Sequence, residues 1–149
     1  MVCGQDNPVG MRVRFTVDGL GGAEAAWTVG ADFQGVVGLL HGGAVLALLD
    51  DAMWYAVYGV AGAVTLTAEA AVRYRRRVAV GRAVVVRGTV LSRHGRLWAC
   101  RAELQAADDG STLATASGKF LAVPGEELAR LSADSGVHEL PASPPAPVG

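Results

Sequence analysis

The stretch "GLLHGGAVLALLDDAMWYAV", residues 38–57, decides the fold of this 149-residue chain. Nearly every position in it is apolar or small, yet His41 opens a His-Gly-Gly triplet and two adjacent carboxylates, Asp50 and Asp51, lie in the middle. A buried carboxylate destabilises a folded protein unless it is paired or used. The stretch therefore indicates a core element that also carries a functional group.

The absence of Gly and Pro between residues 44 and 58 predicts one helix of about fourteen to eighteen residues. Two alternating segments, residues 11–17 and 24–29, precede it and predict a hairpin closed by "DGLGG". Short turns separate the segments of strand character that follow, which are residues 63–75, 82–93, 97–106 and 112–123. A helix that is apolar all round needs cover on most sides. The order β-β-α-β-β-β-β thus predicts the α+β hotdog fold, in which a curved antiparallel sheet of about six strands wraps one long central helix.

Length and composition predict a single domain over residues 1–124, since the chain is about half hydrophobic. Residues 125–149 are polar and then Pro-rich, so we expect a tail that is a short helix at most, followed by disorder.

With 13 basic against 14 acidic residues, the chain is not expected to bind nucleic acid or an anionic membrane. The aspartates interrupt the longest apolar run, and we expect neither a membrane span nor secretion. Cys3 has no second ligand at a metal-binding interval, so no metal site is expected, and two cysteines favour a reduced, cytoplasmic setting.

The glycines at the start of the helix predict an oxyanion site. The first backbone N–H groups of a helix have no acceptor inside it, and Gly42 and Gly43 let a ligand oxygen approach them. Asp50 lies nine residues after His41, about 13 Å along the axis and about half a turn round. The carboxylate reaches a ligand at the helix start only along a groove or from a second subunit, which indicates a site shared between protomers.

The chain resembles a known family at this point. "GLLHGGAVLALLDDAM", preceded by "FQG" and followed by "TAEAAVRYRRRVAVG", is similar to the hotdog-fold acyl-CoA thioesterases of the phenylacetate-pathway type, within the 4-hydroxybenzoyl-CoA thioesterase superfamily. The opening "CGQDNPVGMRVRF" resembles one branch of that group, and the similarity covers about residues 3–124. The resemblance implies hydrolysis of acyl-CoA thioesters without a cofactor, by a homodimer or by a tetramer built as a dimer of dimers.

The resemblance also implies a set of site residues. Asp50 activates water or attacks the thioester, Gly42 donates its N–H to the carbonyl oxygen, and His41 shapes that donor. Thr67 orients the water from the facing subunit. Four further residues are expected to bind substrate: Gln34, Gly43, Arg73 and Arg75.

Two positions depart from the family pattern. Gly35 stands where relatives often carry Asn or Gln, and the amide is one place earlier, at Gln34. Arg77 stands where relatives tend to have Pro, near the end of the third strand.

Several alternatives stay open. His41 can be a simple helix cap, Thr67 can reflect β-propensity alone, and Asp51 can be a paired residue at a dimer face. Strand alternation places Glu69 on the face of Thr67, which makes it a reserve candidate for the base.

The basic run also has two interpretations. Alternation places Arg73, Arg75 and Arg77 on one face, either as a cradle for CoA phosphates or as a solvated sheet edge. The alternative functions are a non-catalytic acyl-CoA-binding protein and a hotdog dehydratase or hydratase, and the sequence does not identify the acyl group.

Overall fold

One long helix, α1 (Gly42–Ala61), lies against a six-stranded antiparallel sheet in the structure, a computed structural model that describes residues 7–135 and the side chains of residues 7–130. The strands are β1 (Thr16–Val17), β2 (Gly22–Thr28), β3 (Thr65–Tyr74), β4 (Ala83–His94), β5 (Leu97–Ala106) and β6 (Thr112–Ala122). Their order across the sheet is β1-β2-β4-β5-β6-β3. This is the α+β hotdog fold, as predicted, and β3 forms one edge of the sheet.

Helix α1 is longer at both ends than the predicted residues 44–58. It begins at Gly42 because the Nδ1 of His41 accepts a hydrogen bond from the Gly43 N–H and caps the first turn. It ends at Ala61, because the following Gly62 has a φ of 58°, in the left-handed region that favours glycine. Both glycines of the His-Gly-Gly triplet therefore lie inside the first turn.

The core forms where α1 meets the sheet. Leu48, Leu49, Ala52 and Met53 are fully buried on the helix. On β4, a Cβ atom at Gly88 would lie 2.0 Å from the Ala52 carbonyl oxygen, so only glycine lets the two backbones come this close. Within residues 7–135, α1 alone is long and apolar enough to cross a membrane by length and composition, a test that core helices also pass.

The first predicted hairpin is only partly formed. Residues 11–17 keep the expected alternation of buried and exposed side chains, but only Thr16 and Val17 pair with β2. Arg12 has a left-handed φ of 51°, which interrupts the extended backbone. Burial instead holds this segment, since Phe15 stacks on Tyr55 of α1 with ring centroids 4.8 Å apart.

The later strands agree closely with the predicted segments. β5 begins and ends as predicted, and β3, β4 and β6 differ by one or two residues at an end. A second helix, α2 (Gly125–Ser135), occupies the first part of the predicted tail. Cys3 and the tail beyond residue 135 lie outside the described residues, so predictions about them stay predictions.

Candidate active site

The start of α1 presents one backbone donor for a ligand. The Gly43 N–H donates to His41 Nδ1 at 2.9 Å, and the N–H groups of Ala44 and Val45 donate to the His41 carbonyl oxygen at 2.9 and 3.1 Å. Within the described residues, the Gly42 N–H has no acceptor. Because the cap occupies the other early donors, Gly42 is the residue whose N–H can bind a ligand oxygen, at the end of the helix where the dipole favours negative charge.

His41 therefore does act as a helix cap, and the cap defines the donor. An Nδ1 atom that accepts a hydrogen bond carries no proton, so the neutral ring of His41 bears its proton on Nε2. The two interpretations of His41 from the sequence, a cap and a shaper of the Gly42 donor, describe one arrangement.

Asp50 and Thr67 form the second part of the site. Thr67 Oγ1 lies 3.0 Å from Asp50 Oδ1 and 3.2 Å from Oδ2, and its hydroxyl donates to the carboxylate. Asp50 is half-buried on α1, whereas Thr67 is exposed on β3, so the pair opens to the surface. Both residues belong to the same chain, so Thr67 holds the carboxylate of its own subunit, and its role in orienting water from the facing subunit stays a prediction.

The surroundings of Asp50 tune its ionisation. Burial raises the pKa of the Asp50 carboxyl above its usual value, because the charged form loses hydration. The hydrogen bond from Thr67 acts in the opposite direction and lowers the pKa, since it stabilises the carboxylate. A carboxylate whose pKa is raised is a better proton acceptor than an exposed one.

A β-bulge in β3 determines whether Glu69, the reserve candidate for the base, lies on the same face as Thr67. The register of β3 with β6 shifts between Thr67, which pairs with Phe120, and Glu69, which pairs with Lys119. Phe120 is fully buried against the helix side of the sheet, whereas Lys119 is exposed on the outer side. Ala68 is the extra residue, so Thr67 and Glu69 lie on opposite faces, contrary to the alternation assumed from sequence. Glu69 pairs with Lys119 at 2.7 Å and is excluded as the reserve base.

The arginines of the basic run, residues 73–77, do not all lie at one place in the structure. Arg73 pairs with Thr115 on the outer face of the sheet. β3 ends at Tyr74, so strand alternation does not extend to Arg75 and Arg77. A cavity of about 350 Å³ beside the helix start is lined by Leu39, Leu40, Gly42, Val45, Tyr74, Arg75, Arg76, Arg77 and Val78. Arg75 thus lies near the Gly42 donor together with Arg76 and Arg77, and Arg73 does not.

A second cavity, of about 340 Å³, lies beside the same helix start and contains Gln34, His41 and Gly43, with Phe33 and Ala47 among its apolar lining. A Cβ atom at Gly35 would lie 2.9 Å from His41 Cδ2, so position 35 has no room for an amide side chain unless His41 moves. This explains the departure from the family pattern. Gln34 lines the cavity instead, and its Oε1 accepts a hydrogen bond from the Gly38 N–H at 3.2 Å.

Sequence reasoning missed one residue of this site. Tyr74, at the end of β3, donates its hydroxyl hydrogen to the Gly42 carbonyl oxygen at 2.8 Å. An aromatic residue in an alternating strand is typical of a sheet, and its partner 32 residues away became visible only in the folded chain. Among residues 7–135, no cluster of three or more His, Cys, Asp or Glu side chains could hold a metal ion.

The two parts of the site are far apart on one chain. Asp50 follows Gly42 by eight residues on a continuous helix, which corresponds to about 12 Å along the axis. A thioester carbonyl that accepts the Gly42 N–H therefore lies out of reach of the Asp50 carboxylate of the same chain.

Comparisons with known proteins identify the family of this chain. A thioesterase superfamily sequence model matches residues 37–113, more than half of the chain, and a search of curated proteins found no match. A solved thioesterase superfamily protein is 27% identical with a TM-score of 0.67; the match covers 79% of this chain but 60% of that protein.

Two further solved structures are similar. A mutant of the phenylacetic acid degradation protein PaaI from Thermus thermophilus is 26% identical with a TM-score of 0.66, and the match covers 74% of this chain and 93% of that one. A hypothetical thioesterase from Streptococcus pneumoniae, solved with coenzyme A, is 14% identical with a TM-score of 0.70 over 74% of this chain and 88% of that one, and it shows the fold alone. The chain belongs to the thioesterase superfamily.

Proposed function

We propose that this protein hydrolyses acyl-CoA thioesters at a site shared between two copies of the chain. The observation that carries the proposal is a half-buried carboxylate held by a hydroxyl, Asp50 with Thr67, in a chain that also presents the Gly42 N–H as a free donor. Membership of the thioesterase superfamily supports the reaction class.

In the proposed reaction, the thioester carbonyl oxygen accepts the Gly42 N–H. Asp50 takes a proton from a water molecule, and the water oxygen bonds to the carbonyl carbon. Negative charge then develops on the oxygen that faces Gly42, where the helix start stabilises it. The carbon–sulfur bond breaks as the carbonyl reforms, and the thiolate leaves with little acid assistance because a thiol pKa is roughly 8.5. Asp50 then gives up its proton to solvent, which completes the cycle. In the alternative of direct attack, an Asp50 oxygen would bond to the carbonyl carbon and expel the thiolate, and water would cleave the resulting anhydride to release the acid.

The expected thiol half of the substrate is coenzyme A. The cavity beside Gly42 is lined by Arg75, Arg76 and Arg77, and guanidinium groups bind phosphate through paired hydrogen bonds. The Streptococcus pneumoniae relative was solved with coenzyme A, which supports the same ligand here. The acyl group would then lie toward the cavity that contains Phe33 and Ala47.

The partner copy is expected to pair through β3. This strand of ten residues forms an edge of the sheet, and an unpaired edge is a template for another strand. Glu69 and Arg73 lie on its outer face, two residues on either side of Ala71. In an antiparallel pair centred on Ala71, the Glu69 of each chain lies opposite Arg73 of the partner subunit, so symmetry creates two such pairs.

The same register assembles the site. When Ala71 lies opposite Ala71 of the partner subunit, Thr67 lies near the partner's Tyr74 and the partner's Arg75. Because Tyr74 contacts Gly42 and Thr67 contacts Asp50, each carboxylate would approach the other chain's helix start. Arg73 then serves the interface, whereas Arg75 stays beside the substrate.

Removing the carboxylate tests the base directly. Asp50→Asn should lower kcat on a good acyl-CoA by at least about a hundredfold, as expected for a lost general base. Thiol release from a panel of acyl-CoAs measures the rate, and Asp51→Asn is the matched control, with a much smaller loss. If Asp50→Asn keeps its rate, the mechanism is wrong. If the native chain binds acyl-CoA but releases no thiol from any of the panel, the protein is a binding protein.

The hydrogen bond from Thr67 sets the pH dependence. Thr67→Val removes a contact that lowers the pKa of Asp50, so that pKa rises further. The base must be ionised, and the acid limb of the kcat/KM profile should therefore move to higher pH. Thr65→Val is the matched control, because within the described residues the Thr65 hydroxyl oxygen is buried without a hydrogen-bond partner. An acid limb that stays in place in Thr67→Val would contradict the assignment.

Charge reversal tests the β3 interface. Glu69→Arg alone or Arg73→Glu alone should place like charges opposite each other and weaken the dimer, and the double variant should restore it. Sedimentation equilibrium at low salt measures the dissociation constant, for which we expect about a tenfold increase or more in each single variant. Equal association of the two single variants and the native chain would rule out this register.

A further inference from the structure

The peptide group between Gly42 and Gly43 is held at both ends. Its carbonyl oxygen, on Gly42, accepts the Tyr74 hydroxyl at 2.8 Å, and its N–H, on Gly43, donates to His41 Nδ1 at 2.9 Å. One contact comes from the end of β3 and the other from the residue that caps the helix. No other peptide in the described first turn of α1 has side-chain hydrogen bonds at both ends.

This peptide adjoins the proposed oxyanion donor. The Gly42 N–H belongs to the preceding peptide, and the two peptide planes meet at the Gly42 Cα, which carries no side chain to restrict their relative rotation. Glycine leaves the donor accessible, and the donor's own peptide is held through the His41 carbonyl oxygen, which accepts the Ala44 and Val45 N–H groups. The clamp on the following peptide holds the second plane at the Gly42 Cα, so both planes that meet at the donor residue are fixed.

We propose that Tyr74 is the positioning residue for the Gly42 donor, an inference that rests on the proposed function. Tyr74 acts through Gly42 and does not touch the reacting atoms in this account. A preorganised donor stabilises a developing oxyanion without reorganising during the reaction. The Tyr74 hydroxyl therefore contributes to kcat through the direction of the Gly42 N–H.

The packing around Tyr74 agrees with this role. A Cβ atom at Gly42 would lie 3.4 Å from the Tyr74 hydroxyl oxygen, so the tyrosine lies directly against the glycine. More than half of the Tyr74 side chain is exposed, and Tyr74 is not among the buried residues of the core. A half-exposed tyrosine contributes less to the core than a buried one. Its ring also lines the cavity beside Gly42, so a change that keeps the ring isolates the hydrogen bond.

Strand β3 thus makes both specific contacts with the functional groups of α1. Thr67 holds the Asp50 carboxylate, and Tyr74 holds the Gly42 peptide. The bulge at Ala68 lies between them and keeps both side chains on the helix side of the sheet.

The test is Tyr74→Phe, which removes only the hydroxyl. We expect kcat for an acyl-CoA to fall by about five- to tenfold, the effect of one lost neutral hydrogen bond, with KM changed by less than about twofold. The melting temperature should stay near that of the native protein. Tyr58→Phe is the matched control, since Tyr58 lies in the core stacked on Trp54, and its kcat should be close to native.

A second readout does not depend on activity. In protein labelled with ¹⁵N-glycine, the Gly42 amide signal should shift more in Tyr74→Phe than in Tyr58→Phe. An unchanged kcat in an active enzyme, or a Gly42 signal that moves no more than in the control, would overturn the inference. If the native chain hydrolyses no acyl-CoA but the Gly42 signal moves, the positioning contact stands and the proposed function fails.

Discussion

The rigidity of α1 is the constraint on which the account depends. A continuous helix keeps Gly42 and Asp50 about 12 Å apart, because each residue adds about 1.5 Å and the backbone ladder allows no shortening. Neither group can be moved independently of the core, since the intervening residues Leu48 and Leu49 are fully buried. A donor and a base that cannot meet on one chain point to two chains, and the exposed edge β3 offers the place where a second copy can add.

The same helix must combine stability with reactivity. Its apolar surface is covered by the sheet, and Gly88 allows the closest approach of the two backbones. Asp50 interrupts this surface, and burial raises its pKa, so the folded protein favours the protonated form more than the unfolded chain does. The ionised carboxylate therefore costs stability as pH rises through its raised pKa, and Thr67 reduces that cost. The proposed reaction accounts for this destabilising group, because it needs a base at this position.

Much of the fold follows from sequence pattern because hydrophobic periodicity reports burial directly. The apolar stretch around residues 44–58 and the later strands were predictable for that reason. Features that depend on a single backbone irregularity were not predictable from the sequence pattern. The bulge at Ala68 moved Glu69 to the outer face, and the left-handed Arg12 shortened the first strand.

The site likewise has features that local sequence predicts and features that depend on the folded chain. The Gly42 donor could be proposed from helix-end chemistry alone. The roles of Asp50 and His41 came from the resemblance to the thioesterases, because the cost of burying a carboxylate applies to Asp51 as well. The contacts Thr67–Asp50 and Tyr74–Gly42 join residues 17 and 32 positions apart, so they depend on the register of β3 beside α1. No local pattern encodes that register.

The proposed shared site is tested most directly by mixing two variants that should each be inactive. Asp50→Asn removes the base, and Gly42→Pro removes the donor N–H at a first helical position that accepts proline, next to a His41 whose backbone is already extended. A heterodimer of the two variants contains one intact site if Asp50 and Gly42 come from different chains. Differently tagged chains, purified as the heterodimer, should then regain about half of the native rate of thiol release. A heterodimer as inactive as its parents would contradict the account.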